Sequence, residues 1–198
     1  MAFATIDVTK GITGTMPVAN GGTGLTSGTA DQYLKFTGTT TVASSALSGV
    51  GKIAQVIGGN SLSKYSTSST SYTSIYSAPA ITPSAATSKI LFSWSCSMAY
   101  LSNTSNLGHI RVSRYINGGS ETQLFDGGHN SSVYTYQAEN NRQGYGLSFE
   151  FLDSPSTTGV LTYYVQFKTD NTGVTLYMNQ NSGGQGGNMF VVLKEVLA

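Results

Sequence analysis

The sequence predicts an all-β protein: a Gly-rich extended N-terminal arm followed by an antiparallel β-sandwich, most simply a jelly roll. Three observations predict it. Ser, Thr, Gly and Asn fill 88 of the 198 positions, and these are indifferent or poor helix formers, whereas the abundant Thr, Tyr, Val and Phe suit strands. Apolar residues in the second part recur with a period of two, and turn-forming clusters separate the runs. Leu, Ile, Val and Phe number 44, with 12 Tyr besides, which is enough apolar surface for a core rather than a disordered chain.

Residues 1–60 carry three aromatics (Phe3, Tyr33, Phe36) and five charges, while the remainder carries 18 aromatics and 14 charges. The composition changes near Lys52, so we divide the chain into an arm, 1–52, and a head, 53–198. In the arm, glycines at 11, 14, 21, 22, 24 and 28 permit tight turns but cannot fill a core. Ile12, Met16, Val18, Leu25, Leu34 and Phe36 favour a segment that docks on something else over a plain linker.

In the head, Ile53–Ile57 opens the strand series, and Tyr72–Ser77 follows a Ser/Thr-rich stretch. Ile90, Phe92, Trp94, Cys96 and Met98 alternate with smaller residues and form the clearest strand, one face of which is core. Ile110, Val112 and Ile116 alternate with His109, Arg111, Ser113 and Tyr115, although Arg114 interrupts the apolar set. Tyr145, Leu147, Phe149 and Phe151 make the next strand; Leu161, Tyr163, Val165 and Phe167 alternate with Thr162, Tyr164, Gln166 and Lys168. Val174, Leu176 and Met178 precede a closing strand, Met189–Val196. Turn signals lie at Asn117-Gly118-Gly119, Asp126-Gly127-Gly128, Asp153–Ser156, Asp170–Gly173 and Gly183–Gly187. About eight strands with short turns imply the sandwich.

Ten Lys or Arg against nine Asp or Glu give a net charge of +1, with the basic residues scattered singly. No electrostatic footprint for nucleic acid is expected. The opening Met-Ala-Phe-Ala-Thr-Ile-Asp has neither a basic nor an apolar region of a signal peptide, and apolar runs are short, so neither export nor membrane insertion is expected. One cysteine, Cys96, offers no intrachain disulfide.

Thr15-Met16-Pro17-Val18-Ala19-Asn20-Gly21-Gly22-Thr23-Gly24 resembles the GTLPVANGGTG segment of tail fibres and other virion appendages of tailed bacteriophages, with Met16 where Leu is usual. Gly51–Val56, Ile81–Ser84 continuing to Ser88–Leu91, and Ser148–Thr158 resemble small C-terminal knob domains of marine phage structural proteins. The resemblance implies a homotrimer of tumour-necrosis-factor or C1q-like jelly rolls. Pro17, Val18, Ala19, Asn20, Gly21, Gly22, Thr23 and Gly24 would serve trimerisation and attachment to other virion proteins. Long tail fibres carry long shafts; the arm read here reaches at most roughly 170 Å fully extended. That length fits a stubby fibre, or a capsid decoration as the alternative.

An enzyme would need converging reactive groups. His109 and His129 have no cysteine near either, so no metal and no cofactor is expected. Asp126, His129 and Ser131 or Ser132 crowd one turn-rich stretch, where triad members rarely converge. Glu121, Asp126, Glu139, Glu150 and Asp153 could pair for glycoside cleavage only if folding brings two together. Gly144–Gly146 and Gly183–Gly187 lack the Lys and Ser or Thr of a phosphate loop and read as turns or close backbone approaches. Asn103-Thr104-Ser105 and Asn130-Ser131-Ser132 match the glycosylation triplet but read as plain loop. We therefore expect a non-enzymatic virion protein, with a sugar-binding adhesin and a capsule depolymerase as competing classes. A receptor-facing loop is expected at Asn130, Tyr134, Tyr136, Asn140 and Arg142, where aromatic rings and amides suit a host-surface glycan. Arg111, Arg114, Glu150 and Lys168 sit within strands; an inward charge among them needs a partner, within or between subunits, and Arg111 and Lys168 suit an outer face.

Overall fold

The computed structural model describes residues 22–23, 25, 28–30, 32–39, 41–45, 52–102, 106–126, 133–135, 145–181 and 183–197, with backbone only at 106 and 133–135. The chain divides into two units, 1–49 and 50–198, and every strand pairing within them is antiparallel.

In the first unit, β1 (Tyr33–Phe36) and β2 (Val42–Ser45) form a hairpin in the register Tyr33↔Ser45 to Phe36↔Val42. This part of the arm is therefore a folded-back ribbon and not simply extended. Thr37 N–H donates to Thr41 O at 3.0 Å, closing a turn that the Thr37-Gly38-Thr39 segment allows. None of the described residues of this unit is buried. A lone two-stranded hairpin is marginal in water, so the ribbon has no core of its own.

The second unit contains β3 (Ile53–Ser61), β4 (Tyr65–Thr67), β5 (Thr73–Ser77), β6 (Lys89–Leu101), β7 (Asn106–Ile116), β8 (Glu121–Asp126), β9 (Val133–Thr135), β10 (Tyr145–Asp153), β11 (Leu161–Thr169), β12 (Leu176–Met178) and β13 (Met189–Val196). The long strand β6 pairs with β10 on one edge; on its other edge β13 takes Lys89–Cys96 and β12 takes Ala99–Leu101. Beyond these, β3 pairs with β13 and β4 with β12. The second sheet runs β5-β11-β7-β8, with β9 extending the β8 edge along Asn106–Gly108.

Counting β3 with β4, β8 with β9 and β12 with β13 as interrupted single strands gives eight positions. One sheet then holds the first, eighth, third and sixth; the other holds the second, seventh, fourth and fifth. The first lies beside the last and the second beside the next to last, which is the pairing of one long antiparallel ribbon wound up on itself. That is a jelly roll. The predicted runs in the head fall on strands, while β4, β8 and β9 were not expected. In β8 the alternation is broken by a bulge: Val112 faces Phe125 but Ser113 faces Gln123, so Leu124 is the extra residue.

Between the sheets lie Ile90, Phe92 and Trp94 of β6, Val112 of β7, Tyr163 and Val165 of β11, and Val191 and Leu193 of β13, all buried. Aromatic rings form a contiguous stack: Phe92 lies 5.1 Å from Phe151 and 5.5 Å from Tyr163, and Phe149 lies 5.0 Å from Trp94 and 4.8 Å from Phe125. Alternation dictates this, because every second residue of a strand points to the same face. At the β7–β8 turn, Asn117 (φ 51°) and Gly118 (φ 68°) both take left-handed backbone, the two-residue turn whose twist matches the strands.

Arg114 points inward. Its Nη1 lies 2.6 Å from both carboxylate oxygens of buried Asp153, and Tyr163 Oη–H donates to the same carboxylate at 2.7 Å. The partner anticipated for an inward charge comes from the same chain, across the sandwich.

Candidate functional site

The sandwich leaves two outer faces of opposite character. On the β3-β13-β6-β10 sheet, the outward set comprises Val56 of β3; Phe190, Val192 and Lys194 of β13; Leu91, Ser93 and Ser95 of β6; and Ser148, Glu150 and Leu152 of β10. Phe190 is 47%, Val56 59% and Leu152 49% exposed. Small serines between them leave a shallow depression of about 430 Å³ bordered by Phe190, Val192, Ser95 and Glu150. Glu150 accepts a hydrogen bond from Ser93 Oγ.

The outer face of the β5-β11-β7-β8 sheet is polar and aromatic. From β7 it takes His109, Arg111, Ser113 and Tyr115; from β11, Thr162, Tyr164, Gln166 and Lys168; from β8, Glu121, Gln123 and Asp126. Arg111 is the hub. Its Nε donates to Gln166 Oε1 at 2.6 Å, its Nη2 lies 2.8 Å from Glu121 Oε1, and its guanidinium sits 4.2 Å over the Tyr72 ring. Lys168 Nζ lies 5.2 Å from the same ring, whose hydroxyl donates to Asp126 Oδ1 at 2.8 Å. Burial, and then the hydrogen bond to Asp126, raise the Tyr72 phenol pKa, so it stays a donor. Ser113 Oγ–H donates to Glu121, and chiefly that bond, helped by the Arg111 charge, lowers the Glu121 pKa.

Next to this network, Tyr115 and Tyr164 meet edge to face with centroids 5.2 Å apart. Together with Ser74, Gly118 and Thr162 they line a depression of about 310 Å³.

Among the described residues, those singled out from sequence for chemistry are distributed as follows. His109 Nε2 lies 2.6 Å from Asp170 Oδ1, and His129 lies outside the described residues. Of the carboxylates, Glu121 and Asp126 share one outer face, where Glu121 is held by Arg111 and Ser113 and Asp126 accepts from Tyr72; Glu150 lies on the other face and Asp153 between the sheets. Glu139 lies outside the described residues, as do Ser131 and Ser132. No group of three or more His, Cys, Asp or Glu side chains suited to a metal occurs among the described residues. Arg111 and Lys168 are on an outer face, as expected. At Gly187, just before β13, an added Cβ would lie 2.8 Å from Ser97 Cβ of β6, a close approach of that segment to the strand.

Of the arm motif, Gly22 and Thr23 are described; Pro17, Val18, Ala19, Asn20, Gly21 and Gly24 lie outside the described residues. Of the expected receptor loop, Asn130, Tyr136, Asn140 and Arg142 lie outside them, and Tyr134 is placed only by its backbone, opposite Leu107 in the β9–β7 pairing. The Tyr72–Arg111–Tyr164 face was not singled out from the sequence. The signal was present in the two alternating polar sets, His109 to Tyr115 and Thr162 to Lys168, but only the pairing of β7 with β11 joins them.

No protein-family model matches the chain, and no curated protein matches it in sequence. Among solved structures it is similar to the VP2 subviral particle of infectious bursal disease virus, with a TM-score of 0.37 and 12% identity over 83% of this chain and 42% of that one. The Gx strain structure of the same virus gives 0.38 and 12% over 83% and 41%, and its T13 viral particle 0.35 and 14% over 83% and 39%. The chain spans less than half the length of these structures.

Proposed function

We propose that this chain is a non-enzymatic structural protein of a tailed-bacteriophage virion. In this reading it is a short homotrimeric fibre: residues 1–52 trimerise and attach to other virion proteins, and the jelly-roll head, 53–198, projects from the particle. The observation that carries the reading is the apolar outer face of Phe190, Val56, Leu152, Leu91 and Val192, which a second copy of the chain would cover. Lys194 and Glu150 on the same face would give such a contact a self-complementary pair of charges. Leu34 and Phe36 of the β1–β2 hairpin, 53% and 71% exposed, support an arm that docks. At roughly 25 cal/mol per Å² of apolar surface covered, a seam of ordinary size would contribute several kcal/mol. The engagement of His109, Arg114, Glu121 and Asp153 in contacts within the fold supports a role in assembly over catalysis.

Mass in solution tests the association. Sedimentation equilibrium of the full chain should give about three times the 20.7 kDa protomer, falling to one protomer on Phe190→Asp with the fold retained by circular dichroism. A wild-type value near one protomer at micromolar concentration would refute the trimer. Copy number in intact particles separates a fibre, present in tens of chains, from a capsid decoration, present in hundreds. Release of sugar fragments from host envelope would establish a depolymerase and overturn the non-enzymatic reading.

A further inference from the structure

We propose that the outer face of the β5-β11-β7-β8 sheet binds a neutral saccharide in the depression that Tyr115 and Tyr164 line. The depression is built almost entirely of hydroxyl-bearing and aromatic side chains: Ser74, Tyr115, Thr162 and Tyr164. Its size of about 310 Å³ falls at the lower end of small-ligand sites. Sugar rings present an apolar C–H face and a rim of hydroxyls. Tyrosine meets both needs, offering a ring to stack on and a phenol to hydrogen-bond.

The neighbouring network sets the ligand's charge. Arg111 is paired with Glu121, and Lys168 and Asp126 both meet Tyr72, one at its ring and one at its hydroxyl, so the face carries two charges of each sign and a charged ligand would gain no net attraction. The same contacts hold Arg111, Ser113, Glu121 and Gln166 in place before any ligand arrives, which lowers the ordering cost of binding. Gln166 and Ser113 are themselves buried, with Ser113 Oγ 3.1 Å from Gln166 Oε1. Half-buried tyrosines beside a rigid hydrogen-bonded floor fit a neutral polyhydroxylated ligand better than a peptide, since the rim carries no aliphatic pocket for a side chain.

This inference deepens the reading of an outward-facing head and rests on that reading only for the origin of the sugar. Its test is independent of oligomeric state. Neutral gluco-, manno-, galacto- and N-acetylglucosamine di- and trisaccharides are titrated into the full-length protein by calorimetry and by saturation-transfer NMR. At least one should bind saturably, and Tyr164→Ala should weaken it by about tenfold or more, with Tyr164→Phe retaining most of the affinity through the ring. Phe190→Asp, on the opposite face, should leave binding unchanged whatever it does to the mass. Absence of binding across the panel at millimolar concentration overturns the proposal, and so does wild-type affinity in both Tyr164→Ala and Tyr115→Ala. Should Tyr164→Ala not fold, Thr162→Val and Tyr164→Phe together must reduce binding, or the proposal fails.

Discussion

Arg114 on β7 and Asp153 at the end of β10 are joined across the sandwich, one guanidinium nitrogen standing 2.6 Å from each carboxylate oxygen. The pair ties the two sheets together at a point where the apolar alternation of β7 is broken. Tyr163 completes the carboxylate's shell, and the negative charge beside it, after burial itself, raises the phenol's pKa.

Breaking that pair on one side should be severe. Arg114→Ala leaves Asp153 buried without its cation, and Asp153→Ala leaves Arg114 so; each should cost about 3–5 kcal/mol. Arg114→Met combined with Asp153→Leu should recover part of the loss, because two apolar groups need no partner while the buried Tyr163 hydroxyl loses its acceptor. Urea midpoints of the three variants against wild type measure this, and a double variant no better than the singles would contradict it.

Stability should fall in acid through Glu195. Its side chain is fully buried on β13; Oε1 accepts from the N–H and Oγ–H of Ser84, each at 2.6 Å, and Oε2 from Gln55 Nε2 at 2.7 Å. Burial pushes its pKa up, but these donors outweigh burial and bring it down to about 2. The unfolded chain binds this proton near its ordinary pKa, so the contribution is complete above that value and lost as pH falls from there through about 2. It amounts to about 3 kcal/mol. Denaturant midpoints should drop across this window, and Glu195→Gln should show a shallower drop.

Asn179 holds together the two interrupted strands. It is buried, takes left-handed backbone at φ 60°, and donates through Nδ2 to Ser61 O and Ser63 O, both at 3.0 Å. Ser61 ends β3 and Ser63 lies in the gap before β4, opposite the gap between β12 and β13. Asn179→Ala should cost about 1–3 kcal/mol, from lost hydrogen bonds and from a β-carbon without a polar anchor in that conformation. Asn179→Gly relieves only the backbone part and should fall between. Thermal melting orders the three proteins.

Gly108 on β7 faces Leu176. A Cβ there would lie 2.9 Å from Leu176 Cδ2 and 3.1 Å from Cδ1. Leu176 is fully buried, so its methyls have little space to yield. Gly108→Val should cost about 1–3 kcal/mol through overpacking, and pairing it with Leu176→Ala should restore part of this. Differential scanning calorimetry of the single and double variants checks the coupling.

Much of the head was legible in the residues. The alternation Ile90-Phe92-Trp94-Cys96 names the core face of β6, and the same rule places Phe149 and Phe151 of β10 and Tyr163 and Val165 of β11. Asn117-Gly118 marks its turn because two consecutive left-handed residues suit Asn and Gly. Less legible was β8, whose bulge at Leu124 sets two apolar residues side by side and hides the period. Strand β4 is too short, and too rich in Ser and Thr, to carry a pattern. The β1–β2 hairpin buries nothing, so the arm's sequence carries no apolar alternation to announce it.

By itself the sequence determined the all-β class, the division between a glycine-rich arm and an aromatic head, and which side of each long strand is apolar. These follow from local chemistry: backbone freedom at glycine, and a two-residue period that any strand obeys. Only the tertiary structure decided that β7 lies beside β11, which assembles Arg111, Tyr164 and Gln166 into one face, and that Arg114 finds Asp153 thirty-nine positions away. Neighbourhood in a wound ribbon depends on which strands share an edge, and that choice is made by the packing of the whole core.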